Sequence, residues 1–130
     1  MVILDSDILV GVLRGDMAAV EYLNKLEKKG EKLNTTVVNA FEILEGAMLM
    51  SKKDKLNKVE NLLNAFGSYT FNLSASWKAA EISSSLKKTG KIIDFQDIAI
   101  ASISLLHDES LVTRNIKHFG RVKGLKTENW

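Results

Sequence analysis

The sequence predicts an α/β domain with a mainly parallel central sheet of four to five strands flanked by helices. Short apolar or β-branched runs alternate with stretches of helical periodicity along the whole chain. Strands separated by helices are joined by crossovers that lay them parallel, as βαβ units. Length sets the scale: 130 residues with 45% hydrophobic content supply one core, so residues 1–130 read as one domain.

The elements follow in order. Val2 to Leu4 is an apolar run of the kind found in strands buried on both faces. Asp7 to Leu13 reads as a short helix with Ser6 as its N-cap. Val20, Leu23 and Leu26 line one side of a helix from Ala18 to Lys29, which Gly30 ends. Leu33 to Val38, rich in threonine and valine, reads as a second strand. A helix from Asn39 to Met50 carries Phe41, Leu44 and Met48 on one stripe. Leu56, Val59 and Leu63 mark another from Asp54 to Phe66, before a third strand at Tyr69 to Leu73. Ser76 to Lys88 reads as a helix stopped at Gly90, and Asp97 to His107 as a helix apolar nearly all round, hence buried. Leu111 to Thr113 makes a fourth strand, Lys117 to Phe119 a helical turn, and Leu125 to Glu128 a last edge strand.

Composition narrows the chemistry. The chain has no cysteine and two histidines, which excludes disulfides and thiolate metal sites and argues against a histidine-rich zinc site. A metal here would be a hard cation held by oxygen. Asp5 interrupts the apolar opening where a signal peptide needs an unbroken run. No apolar stretch is long enough for a bilayer, so a cytoplasmic protein is expected. The net charge of +2 is mild and by itself announces no nucleic-acid binder.

The acids say more. In an open parallel sheet, functional groups gather beyond the carboxyl ends of the strands. Asp5 ends the first strand, Asn115 lies just past the fourth, Asp97 opens the apolar helix before it, and Glu42 is one turn into the helix after the second. Each has a plainer reading as a cap, a helix-dipole partner or a solvated side chain, yet one site explains all four together. Such a cluster suits phosphodiester cleavage, where a divalent ion lowers the pKa of bound water and acts as a Lewis acid. Magnesium needs only one or two direct carboxylates, and the remaining acids can orient water and take its proton. Asp94 and Asp97, like Glu42 and Glu45, stand three apart and share a helical face if their helices begin early enough. Asp94 is therefore an accessory candidate, as is Ser6 next to Asp5. Gly46, one turn past Glu42, admits either close approach or helix packing.

With these residues in view, the chain resembles the PIN-domain family, and within it the VapC-type toxins of toxin–antitoxin pairs. Ile3-Leu4-Asp5-Ser6-Asp7-Ile8-Leu9 is similar to the first acidic motif, and Phe41-Glu42-Ile43-Leu44-Glu45-Gly46 to the second. Asp97-Ile98-Ala99-Ile100-Ala101-Ser102 is similar to the third, and Leu111-Val112-Thr113-Arg114-Asn115 with His118-Phe119 to the fourth, followed by a fitting Gly124-Leu125. The resemblance implies a ribonuclease with Asp5 and Asp97 as main ligands of Mg²⁺ or Mn²⁺. It also implies that Glu42 positions the metal or its water, that Thr113 and Asn115 complete the pocket, that the chain dimerises, and that a cognate antitoxin inhibits it. Asn115 departs from the pattern, since many relatives carry Asp there. Its amide oxygen can coordinate but adds no charge and cannot act as a base, which weakens the case for a second ion.

An acidic pocket repels RNA phosphate, so basic residues must line its rim. Ser110 to Thr127 holds no acid but carries Arg114, Lys117, Arg121, Lys123 and Lys126; Arg114, Lys117 and Arg121 are the expected RNA contacts. Two rivals remain. Asp5-Ser6-Asp7 is an Asp-x-Asp after a strand, as in haloacid-dehalogenase-type phosphohydrolases, but Ile8 and Leu9 fit that motif poorly. The other rival is a non-catalytic PIN-fold dimerisation module, against which the intact acids argue.

Overall fold

A computed structural model describes residues 1–130 and places Val2–Leu4 (β1) at the middle of a five-stranded sheet. Leu33–Thr36 (β2) and then Gly67–Tyr69 (β3) lie to one side, Ser110–Val112 (β4) and then Thr127–Glu128 (β5) to the other. Every pairing is parallel, so all five strands end on the same edge.

The helices are Ser6–Leu13 (α1), Met17–Lys28 (α2), Val37–Leu49 (α3), Lys53–Asn64 (α4), Leu73–Lys88 (α5), Phe95–Leu106 (α6) and Ile116–Phe119 (α7). Because strand side chains alternate between faces, β1 feeds two cores. Ile3 and Leu111 join Ala79, Leu86, Ile98 and Phe119 beneath α5 and α6. Val2, Leu4 and Val112 join Ile8, Leu26, Ile43 and Val59 beneath α1 to α4. All three residues of β1 are buried, as the apolar run predicts. Seven successive residues of α6, Ile98 to Ser104, are buried too. Its serines fit there by donating to the carbonyls of Ala99 and Ile100, at 2.7 and 2.9 Å.

Several expected boundaries shift, each for a local reason. Asp5, not Ser6, is the N-cap of α1: its carboxylate accepts from the Ser6 N–H at 2.8 Å, and Ser6 is already helical. The second strand stops at Thr36, because the Thr36 hydroxyl caps α3 by accepting from Asn39 N–H at 3.1 Å. Val37 and Val38 thus become helical despite their β propensity. The third strand is Gly67–Tyr69 instead of Tyr69 to Leu73, since Asn72 caps α5 through the Ala75 N–H and draws Leu73 into that helix. The last strand is only Thr127–Glu128. Gly46 opens to solvent, with nothing within 4 Å of an added Cβ, so the helix-packing reading of it fails.

Gly11, by contrast, is confined. A Cβ there would stand 2.7 Å from the Ala19 Cβ and 3.2 Å from the Trp130 ring. Ala19 Cβ is fixed to its backbone, so α1 and α2 would have to separate. Overpacking costs about 1–3 kcal/mol, against a helix-propensity gain of about 1 kcal/mol for Gly→Ala. Gly11→Ala is therefore expected to lower stability by about 1 kcal/mol and the melting temperature by roughly 3–5 °C, read by thermal denaturation. A melting temperature at or above the parent's would contradict this packing.

Candidate active site

Parallel strands deliver Asp5 and Thr113 to one sheet edge, since they directly follow the paired β1 and β4. The antiparallel return of the helices brings the first turns of α3 and α6 to the same edge. The two central strands anchor the site, and the helix starts surround it.

Asp5 lies at the bottom, 7% exposed. Its Oδ1 accepts from Ser6 N–H at 2.8 Å and from Asn39 Nδ2 at 2.9 Å, and its Oδ2 from the Thr113 hydroxyl at 2.7 Å. Burial pushes its carboxyl up to about 7; the Thr113 and Ser6 bonds oppose this, while the charges of Asp7 and Asp97 add to it. Glu42 accepts from the Ser6 hydroxyl at 3.0 Å. Its carboxyl is raised mainly by burial, with Ser6 opposing and Asp97 assisting. Asp97 is also raised by burial, in part offset by His118, whose Nδ1 lies 3.3 Å from its Oδ2.

Two side chains tie these groups into one network. Asn39 donates to both Asp5 and the Ser6 oxygen, each at 2.9 Å, while Thr36 donates to its carbonyl oxygen at 2.7 Å. Asn115 points Nδ2 at Asp97 over 3.5 Å, and its backbone N–H donates to the Thr113 hydroxyl oxygen at 3.0 Å. A path of polar contacts thus runs from Asp97 through Asn115 and Thr113 to Asp5.

No three His, Asp or Glu side chains converge tightly enough to grip an ion between them as they stand. Asp5 is turned toward its protein donors, and carboxylates that repel one another have no reason to converge. The donor chemistry nonetheless fits a hard divalent cation: Asp5, Glu42, Asp97 and the Asn115 amide offer oxygen, and thiolate is absent. The raised carboxyls point the same way. They mark a place where negative charge is under-compensated and a positive charge would be stabilised.

Of the residues singled out from the sequence, Asp5, Ser6, Glu42, Asp97, Thr113 and Asn115 belong to this network. Asp94 caps α6 without a side-chain bond and reaches the site only as a charge that raises Asp97. Glu45 is exposed. Arg114 lies with its guanidinium 3.6 Å from the centre of the Trp130 ring, and its Nε donates to the Trp130 carbonyl at 3.0 Å. Arg121 donates to the Ile92 carbonyl at 3.1 Å. Lys117 is exposed, on the helical turn just past Asn115.

Asn39 and Asp7 were not legible as members of the site. Asn39 stands three residues before Glu42 on the same helical face, a spacing that offers a signal in retrospect. Asp7 accepts from the Arg114 N–H at 2.7 Å and from the Trp130 indole N–H at 2.9 Å, contacts more than a hundred residues away in the chain. Nothing in the local sequence announces them. Glu109, also buried, is a separate acid: it precedes β4 and is held by Asn34 Nδ2 at 3.1 Å and by the Tyr69 hydroxyl.

Known proteins share both sequence and fold with this chain. Ribonuclease VapC2 of Rickettsia felis is 32% identical over 113 residues, 84% of either chain. Ribonuclease VapC2 of Haemophilus influenzae is 26% identical over 128 residues, covering 98% of this chain and 96% of its own. The crystal structure of VapBC2 from Rickettsia felis bound to a DNA fragment from its promoter superposes with a TM-score of 0.83 at 25% identity, over 100% of this chain and 99% of that one. DNA-bound VapBC from Salmonella typhimurium shares the fold with a TM-score of 0.89 at 19% identity, over 100% and 99%. The PIN domain family model matches residues 2–125, and with the acids arranged as described, this chain belongs to the PIN domain family.

Proposed function

We propose that this chain is a metal-dependent endoribonuclease and the toxin of a toxin–antitoxin pair. One observation carries the reading: Asp5, Glu42 and Asp97, from three separate elements, share one edge of the sheet with all three carboxyls pushed up. The relatives named ribonuclease VapC support the reaction class. The neighbours solved as VapBC complexes support an antitoxin partner and an oligomeric assembly, for which a homodimer is the simplest form. No helix is long and apolar enough to cross a membrane.

Asp5 and Asp97 would hold a magnesium or manganese ion, and Asn115, whose Nδ2 faces Asp97, would add its amide oxygen only by turning its amide over. Such an ion, when bound, supplies Lewis acidity toward the phosphate and acidifies coordinated water. Glu42 has one carboxylate oxygen anchored by Ser6 and would use the other to orient a water and take its proton. Its raised pKa makes it a stronger base than an ordinary glutamate. Thr113 holds the Asp5 carboxylate in place, and Asn39 does so from the other side. A phospho-aspartate mechanism is less consistent with this geometry, because no lysine is among the groups that contact Asp5.

The test is incubation with structured and unstructured RNA in Mn²⁺, in Mg²⁺ or in EDTA. Cleavage is expected only with a divalent ion; cleavage that survives EDTA would sink the proposal. Among the rim cations, Lys117 has no structural partner to leave, so it is the cleaner probe of phosphate contact. Lys117→Ala is expected to weaken RNA binding several-fold and to reduce the slope of log affinity against log salt by about 0.7. An unchanged salt slope would remove Lys117 from the interface.

A further inference from the structure

Trp130 is tied to the carboxylate edge although it lies at the far end of the described chain. Its indole N–H donates to Asp7 Oδ1 at 2.9 Å. The ring is clamped by the Arg114 guanidinium at 3.6 Å, and Arg114 Nε donates to the Trp130 carbonyl at 3.0 Å. Gly11 leaves room for it, since the ring passes 3.2 Å from where a Cβ would stand. A fixed ring in a fitted slot, with its one donor aimed at an acid, is more than a packed tail.

The consequence follows from counting protons. The Thr113 hydroxyl lies 2.7 Å from Asp5 Oδ2 and 3.2 Å from Asp7 Oδ2, but a hydroxyl has a single proton to donate. Asp7 Oδ2 already accepts the Arg114 backbone N–H at 2.7 Å, and Oδ1 accepts the Trp130 indole. A carboxylate oxygen can accept more than one proton, but the Trp130 and Arg114 N–H groups together meet much of the Asp7 charge and weaken its pull on the Thr113 proton, which goes to Asp5, the nearer acceptor. We propose that Trp130 is a positioning residue for the metal-binding edge: by satisfying Asp7, its indole N–H leaves Thr113 to orient the Asp5 carboxylate.

This rests on Asp5 holding the ion, so the experiment separates the two ideas. Mn²⁺ binding to the RNA-free protein is measured by electron paramagnetic resonance or calorimetry for the parent, Trp130→Phe and Tyr22→Phe. Trp130→Phe keeps an aromatic ring near Arg114 and removes the N–H together with part of the ring's bulk, so the coupling to Asp7 is what reads the N–H itself. Tyr22→Phe loosens the same tail by a comparable bond, the one its hydroxyl donates to Glu128 at 3.0 Å, and leaves Asp7 untouched. Trp130→Phe is expected to weaken Mn²⁺ binding about tenfold, the range for partners that orient metal ligands, and to lower kcat while the KM for RNA stays constant. Tyr22→Phe is expected to bind Mn²⁺ as the parent does. In an Asp7→Ala background, where no acceptor is left for the indole, Trp130→Phe should have no further effect on Mn²⁺ affinity. Equal affinity in the parent and Trp130→Phe overturns the positioning role alone, as does an equal loss in Tyr22→Phe. A parent that takes up no Mn²⁺ overturns the metal site and this inference with it.

Discussion

Asp5→Asn is expected to abolish RNA cleavage, by on the order of 10³-fold or more, while making the metal-free protein more stable. Both effects come from the same carboxylate. Asparagine keeps an oxygen where Ser6 N–H and Asn39 donate, at 2.8 and 2.9 Å. Its amide group then faces Thr113 and can donate to the hydroxyl oxygen, whose proton turns to Asp7 Oδ2, 3.2 Å away. The fold has no reason to reject the substitution. What disappears is a buried negative charge whose carboxyl is raised from 3.8 to about 7. At about 1.4 kcal/mol per pKa unit, ionising it above pH 7 costs up to about 4 kcal/mol. The melting temperature of Asp5→Asn should therefore exceed the parent's by several degrees at pH 8 in EDTA. Asp97→Asn is expected to lose cleavage as well, with a smaller gain in stability, because Asp97 is less buried and faces His118. Cleavage by either variant at the parent rate would falsify the catalytic assignment.

The second large effect is a pH dependence with a definite sign. Unfolded Asp5 gives up its proton near 3.8, whereas in the folded chain it keeps it to about 7. Between those values the native state binds more protons than the unfolded state, so stability falls as pH rises and levels off above 7. Glu42 and Asp97 are shifted in the same direction and add to the slope. The stability difference between the parent and Asp5→Asn reports the Asp5 charge together with its coupling to Asp7 and Asp97, because groups that do not interact with Asp5 cancel in it. It should be near zero at pH 4 and grow to its full size by about pH 8. Mn²⁺ should reverse the trend, since a divalent cation favours the ionised carboxylates. At about 100 times its dissociation constant a bound ligand adds about 2.7 kcal/mol, so its stabilising effect should be small at pH 5 and large at pH 8. Denaturant melts at these pH values, with Mn²⁺ or EDTA, measure both. A parent–variant difference independent of pH would show that Asp5 carries no strained charge.

How far the site was legible depended on distance along the chain. Each acid stood at a strand end or helix start, and parallel topology brings such positions to one edge whatever the details. Asp5, Glu42, Asp97 and Asn115 could therefore be named together from the sequence. The basic rim was less legible. Arg114 and Arg121 are both positive, but one is stacked on Trp130 and the other bonded to the Ile92 carbonyl, which composition cannot distinguish from an open phosphate contact. The element boundaries that moved did so at capping residues. Thr36 and Asn72 claimed neighbours with β-favouring side chains because a satisfied helix N-terminus outweighs a weak propensity.

The sequence alone determined the α/β class, the buried central strand, the buried sixth helix and the acids that share an edge. These follow from periodicity and from the rule that parallel strands end together, both local or topological properties of the chain. Only the tertiary structure decided that Asp5 is clasped by Asn39 and Thr113, that Asp97 is joined to it through Asn115, and that Trp130 closes on Asp7. Those contacts depend on side-chain directions across strands and helices far apart in the chain, and packing sets such directions where no local pattern can.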